Sequence, residues 1–187
     1  MVKKSACIFI SGKGSNLNNL IKRSRDYNFP IKIKLVISNR KKAFGLNYAK
    51  KNLIPHLVID SKYGNNDNKI LQILKKYRIE IICLAGYMKI ISKDFLRSYK
   101  KKIINIHPSI LPKFKGLNTF SRILKKGEIS SGCTVHFVNE KLDSGKIILI
   151  KKFFINSKDN ENTLKKRTQK LEHFAFPEAL IKIFRNI

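Results

Sequence analysis

Short apolar runs alternate along this chain with stretches of helical periodicity, and each run stops at a polar or glycine-rich break. Residues 5–10 (Ser-Ala-Cys-Ile-Phe-Ile) predict a buried strand that ends in a Gly/Ser loop at 11–16. Leu17, Leu20 and Ile21 then recur at helical spacing. The same alternation continues with a strand at 31–37, a helix at 43–52 and a short strand at 55–59. A polar loop at 60–69 leads into a helix at 68–77, and a strand at 80–85 is followed by a short helix at 93–99. A strand at 103–106 stops hard at Pro108 and Pro112. Beyond it come a helix at 119–126, strands at 131–138 and 147–154, and a closing helix at about 160–185, in which Pro177 marks a kink or restart. Strand–helix alternation predicts an α/β fold with a mostly parallel sheet. The turn at 139–145 is too short for a crossover, so the last strand is expected to run antiparallel to its neighbour.

At 187 residues the chain is expected to form one domain over 1–187, with a hydrophobic content of 43% to fill a core. The charge balance is extreme, with 40 Lys+Arg against 12 Asp+Glu and a formal charge of +28. The lysines are spread from Lys3 to Lys182, without a basic stripe interleaved with aromatics and without a zinc-finger, RNP-type or basic-zipper motif. Nucleic acid is therefore not expected as a partner. The surplus is mostly Lys, accompanied by abundant Ile and Asn, and reads as compositional bias, although a positive field would speed the arrival of anionic ligands. Cys7, Cys83 and Cys133 are far apart, form no C-x-x-C pair and sit inside apolar runs, as expected of buried thiols in a reducing compartment. No stretch approaches the ~18 apolar residues of a membrane span. A cytoplasmic protein is expected.

The candidate chemistry lies where strands end. Asn105 and His107 are two apart on an extended run and so share a face. An amide donor beside a proton-holding imidazole, at the carboxyl end of a strand, sits where open α/β sheets bind ligands. The other reading of the pair is a hydrogen-bonded strand end. The loop Ser11-Gly12-Lys13-Gly14-Ser15-Asn16, between a strand and a helix, offers backbone N–H groups to a phosphate, or is a simple Ser-capped turn. It lacks the third glycine of a dinucleotide fingerprint and is not a P-loop. Arg40 at the end of the second strand keeps an NADP oxidoreductase as an alternative. Tyr87, Met88, Ile90 and Ile91 form an apolar patch after Gly86, either core packing or the wall of a flat apolar ligand. Asp143, in a turn, is either a turn residue or the group that orients His107.

Taken in order, Ser-Gly-Lys-Gly-Ser-Asn-Leu at 11–17, Leu-Ala-Gly-Tyr-Met-Lys-Ile at 84–90, Asn-Ile-His-Pro-Ser-Ile-Leu-Pro at 105–112, Gly-Cys-Thr-Val-His-Phe-Val at 132–138 and Leu-Asp-Ser-Gly at 142–145 resemble the phosphoribosylglycinamide formyltransferases. These are folate-dependent enzymes of purine synthesis, and the resemblance covers essentially the whole chain. It implies a Rossmann-like three-layer fold and a catalytic set of Asn105, His107 and Asp143. The amine of glycinamide ribonucleotide would attack the formyl group of 10-formyltetrahydrofolate, without a metal or a covalent intermediate. Asn105 and protonated His107 would donate to the oxyanion, while Asp143 holds His107 and helps move the proton. Gly14, Ser15 and Asn16 would bind the ribonucleotide phosphate, and Glu172 and Pro108 would lie along the ribose. Met88, Lys89, Ile90, Ile91, Asn105, Val138 and Asp143 would surround the folate, with Lys62 reaching its glutamate tail. The resemblance also implies a cis bond at Leu111-Pro112.

The chain departs from that pattern in three places. Asn118 and Phe120 stand where histidines are common in the family, Lys89 replaces an arginine, and the 60–69 loop has Lys62 in place of one. Lysine grips a carboxylate less rigidly than arginine. The related alternatives are a methionyl-tRNA formyltransferase, which carries an added C-terminal barrel, a formyltetrahydrofolate hydrolase, which usually adds an N-terminal domain, and a non-catalytic basic nucleic-acid-binding protein. Either a monomer or a homodimer is compatible with the sequence.

Overall fold

In the computed structural model, which describes residues 2–60 and 66–185, the strand β1 (Lys4–Ile10) is deeply covered over its last five residues. Ala6 through Ile10 are all at 0% exposure, a continuous buried run instead of an alternation, which is the signature of a strand covered on both faces. Strand β1 pairs in parallel with β2 (Ile31–Ser38) on one side and β4 (Ile81–Leu84) on the other, and β2 pairs in parallel with β3 (His56–Val58). The helices of this part are α1 (Ser15–Ser24), α2 (Gly45–Lys51), α3 (Asp67–Lys76) and α4 (Lys93–Ser98). On α1 the buried positions are Asn16, Leu17, Leu20 and Ile21, the face that the spacing of the apolar residues predicts. Ser92 caps α4 by accepting from the Phe95 N–H at 3.0 Å, which satisfies one orphan donor of the first turn.

The described chain divides into two compact units, Met1–Ile104 and Asn105–Ile187. Strand β5 (Lys102–His107) spans the division. The second unit continues with α5 (Thr119–Lys125), β6 (Ser130–Phe137), β7 (Ile147–Phe154) and α6 (Glu161–Arg185). Strands β6 and β7 are antiparallel, as the short turn between them requires. The seven strands follow the order β3-β2-β1-β4-β5-β6-β7. The sheet is thus mixed, with parallel pairing among the first strands and the antiparallel pair at the C-terminal end.

Helix α6 packs on β6 and β7 through Leu164, Ala175, Phe176, Ala179 and Leu180, all at 0% exposure. It runs through Pro177 as one helix, so the proline neither ends nor restarts it. The ring removes one i→i−4 bond, while its own side chain is buried. The Leu111-Pro112 peptide bond is cis, as expected. No described helix is long and apolar enough to cross a membrane.

Candidate active site

The chemistry of the second unit converges on one carboxylate. Asn105 and His107 leave β5 on the same side, and the turn after β6 brings Asp143 to both. Asp143 Oδ2 lies 3.3 Å from His107 Nδ1 and accepts a 2.9 Å bond from the Gly116 N–H. Its Oδ1 accepts from Asn105 Nδ2 at 3.4 Å. The turn can close only with glycine after Ser144, because a Cβ on Gly145 would fall 1.7 Å from the Phe137 carbonyl oxygen. Asp143 itself adopts a left-handed backbone (φ 45), which a short polar side chain tolerates.

His107 is buried, and both ring nitrogens face oxygen. Nε2 lies 2.9 Å from the Phe114 carbonyl, which can only accept, so Nε2 carries a hydrogen. The space between Nδ1 and Asp143 is therefore a slot for one further proton. Burial pulls the imidazole pKa below its ordinary value of 6.5, against the upward pulls of the Phe114 carbonyl and the Asp143 charge. His136 and Arg122 add to the downward side. Burial thus works against the protonated ring that the resemblance implies as an oxyanion donor, while the two acceptors work for it. For Asp143, burial acts upward, but the neighbouring His136 ring, the bond from Gly116 and the charge of His107 outweigh it and hold the carboxyl below its ordinary value.

A fourth member, His136, is absent from the candidates drawn from the sequence. Its Nδ1 donates to the Phe137 carbonyl at 2.8 Å, which leaves Nε2 as an acceptor for Asn105 Nδ2 at 3.2 Å. Nε2 also lies 3.7 Å from Asp143 Oδ1. The pairing register of β6 with β7 shifts between Val135 and His136, an irregularity of the kind that re-aims a side chain. The signal was within reach, since a His stands between Val135 and Phe137 near the end of the strand, but alternation gives no hint of the shift. Both hydrogens of the Asn105 amide thus have partners inside the cluster. To donate to a substrate oxygen, Asn105 must release one, and the 3.4 Å bond to Asp143 is the weaker.

The loop after β5 supports this cluster. Thr134 Oγ1 accepts from the Leu111 N–H at 3.1 Å and donates to the Ser109 carbonyl at 2.7 Å, fixing the chain that carries Pro108. Phe114 has φ 55, a left-handed conformation that costs an L-residue about 1–2 kcal/mol. Its carbonyl is the one that His107 uses. Asn118, one of the departures from the family pattern, is also left-handed (φ 55) at the start of α5, a conformation asparagine accepts readily. Val138 follows β6 and is partly exposed. Glu172 sits on α6, where its charge adds to burial in pushing the Cys133 thiol up to about 12.

In the first unit, Gly14 stands at the start of α1 in a left-handed conformation (φ 72), with Ser15 opening the helix and Asn16 buried in its first turn. A Cβ on Gly14 would lie 2.5 Å from Gly45 Cα, and the Gly45 N–H donates to the Gly12 carbonyl at 3.0 Å. The loop thus keeps its shape by close backbone packing on α2. Ser11 Oγ donates to Asn39 Oδ1 at 2.6 Å and accepts from the Met88 N–H at 2.7 Å, which ties the loop to the apolar stretch 87–91. Lys89, Ile90 and Ile91 line a cavity of about 280 Å³ together with Phe9, Tyr87 and Phe95. Met88 and Ile90 are largely exposed. Lys62 lies outside the described residues.

Residues 4–180 match the formyl transferase family. The phosphoribosylglycinamide formyltransferase of Haemophilus influenzae is 41% identical over 185 residues, 97% of this chain and 87% of its own. The chain belongs to the formyl transferase family. Within that family it is also 45% identical, over 95% of its length, to the trifunctional purine biosynthetic protein adenosine-3 of Drosophila pseudoobscura pseudoobscura. There it spans only 14% of the longer protein. Among solved structures, phosphoribosylglycinamide formyltransferase from Anaplasma phagocytophilum superposes with a TM-score of 0.94 at 35% identity, covering 99% of this chain and 88% of that one.

Proposed function

We propose that this chain transfers the formyl group of 10-formyltetrahydrofolate to the amine of glycinamide ribonucleotide, a step of purine (IMP) biosynthesis. The observation that carries the reading is the meeting of Asn105, His107 and Asp143 in a chain matched nearly end to end by relatives named phosphoribosylglycinamide formyltransferase. The amine nitrogen bonds to the formyl carbon, and the carbonyl oxygen becomes an oxyanion. Asn105 turns its amide from Asp143 toward that oxygen. As the amine attacks, one of its protons fills the slot at His107 Nδ1 beside Asp143, and the ring, now cationic, stabilises the oxyanion by its charge. The C–N10 bond then breaks, and one net proton passes from the attacking amine to N10, with the His107–Asp143 pair as its relay. Neither a metal nor an intermediate bonded to the protein has a part in these steps.

Gly14, Ser15 and Asn16 take the ribonucleotide phosphate at the N-terminus of α1. Pro108 and Glu172 contact the ribose. Met88, Lys89, Ile90, Ile91 and Val138 enclose the pterin, with Lys62 at the glutamate tail. The two compact units act as one functional domain, since the family match runs through both. The protein works in the cytoplasm on small-molecule substrates, as a monomer or a homodimer.

The test is a formyl-transfer assay with the two substrates, comparing wild type with His107→Ala. Turnover that requires glycinamide ribonucleotide and is lost in the variant supports the reading. Turnover with water or with methionyl-tRNA as acceptor would move the function to a related formyl enzyme. No turnover from folded protein with any acceptor would overturn it.

A further inference from the structure

The loop at 114–117 serves both members of the proton slot. Its Phe114 carbonyl accepts from His107 Nε2 at 2.9 Å, and its Gly116 N–H donates to Asp143 Oδ2 at 2.9 Å. Phe114 holds its carbonyl in that direction only by adopting a left-handed backbone, which a bulky residue does not adopt by preference. Something must hold the loop in this shape. The contacts converge on Arg122, one turn into α5. Its Nη1 donates to the Lys115 carbonyl at 2.6 Å and to the Leu117 carbonyl at 3.3 Å, and its guanidinium lies 5.7 Å from the centre of the Phe114 ring. One side chain thus bridges the residue before Gly116 and the residue after it, and stacks on the residue whose carbonyl His107 uses. A planar guanidinium lays its face toward the ring while one Nη donates to both carbonyls, a geometry that the compact, strongly hydrated ammonium of lysine holds less rigidly.

We propose that Arg122 is a positioning residue for the His107–Asp143 pair, acting through the 114–117 loop that it clamps. The inference rests on the formyl-transfer reading of that pair. The bland alternative is that Arg122 is an exposed surface tie that influences His107 only as a distant positive charge.

The two roles move His107 in opposite directions. The titratable and charged groups acting on the ring are Asp143 from the turn, His136 from β6 and Arg122 from α5. The bond to the Phe114 carbonyl raises the pKa and is the largest of the effects after burial, while the Arg122 charge lowers it and is the least. If Arg122 is only a charge, removing it lets the pKa rise. If it holds the loop, removing it loosens the Phe114 carbonyl, the larger effect is lost and the pKa falls.

The experiment measures the His107 ring titration by ¹⁵N-edited NMR in wild type, Arg122→Met and Arg122→Lys, with the signal assigned by its loss in His107→Gln. Kinetics and thermal melts are recorded on the same proteins. The proposal expects a lower His107 pKa in both variants, because lysine keeps the charge but not the planar head that lies against Phe114. It expects kcat to fall about tenfold or more, with little change in either KM and a nearly unchanged melting temperature. Glu128→Gln, which weakens the neighbouring Lys113–Glu128 ion pair, serves as a surface control with wild-type kinetics. A raised pKa, an Arg122→Lys variant that behaves as wild type, or no change at all would overturn the proposal. The titration needs no substrate, so a failure of the formyl-transfer reading would show as an inactive wild type and leave this outcome legible.

Discussion

His107 points Nδ1 at the Asp143 carboxylate, 3.3 Å away, while Nε2 donates to the Phe114 carbonyl at 2.9 Å. The ring is thereby oriented from both ends and has one vacant proton position, shared with a carboxylate. Replacing Asp143 with Asn keeps the shape and removes the charge that attracts that proton. Steady-state kinetics with both substrates should show kcat/KM reduced by roughly 10²–10⁴. Loss of less than tenfold would argue that Asp143 is only a turn residue.

Asn105→Ala removes the amide that bonds His136 and Asp143 and that is assigned to the oxyanion. The expected loss in kcat is about 10²–10³, the usual effect of removing one oxyanion donor. Binding of glycinamide ribonucleotide, measured by calorimetry, should change much less.

The lowered pKa of His107 makes stability depend on pH. The folded state binds this proton more weakly than the unfolded state, so the contribution is fully present above the unfolded value near 6.5. It is lost as pH falls below 6.5 and through the folded pKa. Melting temperature should therefore decline on acidification below pH 6.5, and His107→Gln should flatten that decline. Asp143, whose pKa is lowered, keeps its own contribution constant until the pH falls to the carboxylate range. A variant with the same slope as wild type would place the acid sensitivity elsewhere.

Thr134→Val leaves the Leu111 N–H and the Ser109 carbonyl without their buried partner. Urea unfolding should show a loss of about 1–3 kcal/mol. Activity should fall as well, because that hydroxyl fixes the chain leaving His107.

Gly14→Ala places a Cβ 2.5 Å from Gly45 Cα at a left-handed position, so the loop must move. The expected kinetic signature is a raised KM for glycinamide ribonucleotide with KM for the folate little changed. An equal rise in both would count against Gly14 as part of the phosphate loop.

Much of the architecture was legible before any coordinates. The apolar runs at 5–10, 31–37 and 147–154 became β1, β2 and β7 within a residue or two at each end. The short turn after 138 foretold the antiparallel pair. These are local properties, since burial of a strand and the length of a connection are written in neighbouring residues. Asn105 and His107 could be placed on one face for the same reason. Pro177 could not be judged locally: the proline disfavours a helix interior, but its burial against the rest of the unit keeps α6 whole.

The site itself was decided by tertiary structure. Asp143 meets Asn105 across 38 positions, and His136 meets it across 31, and neither meeting has a sequence period to betray it. The register shift at His136, the left-handed Phe114 and the Arg122 clamp are products of strand pairing and turn geometry. The state of His107 shows the difference most clearly. Its residue type and neighbours by sequence suggest a cation beside an aspartate, whereas burial in the folded chain pulls its pKa down against that pairing. Sequence determines which groups are available. Only the fold sets how much water they keep, and with it their charge.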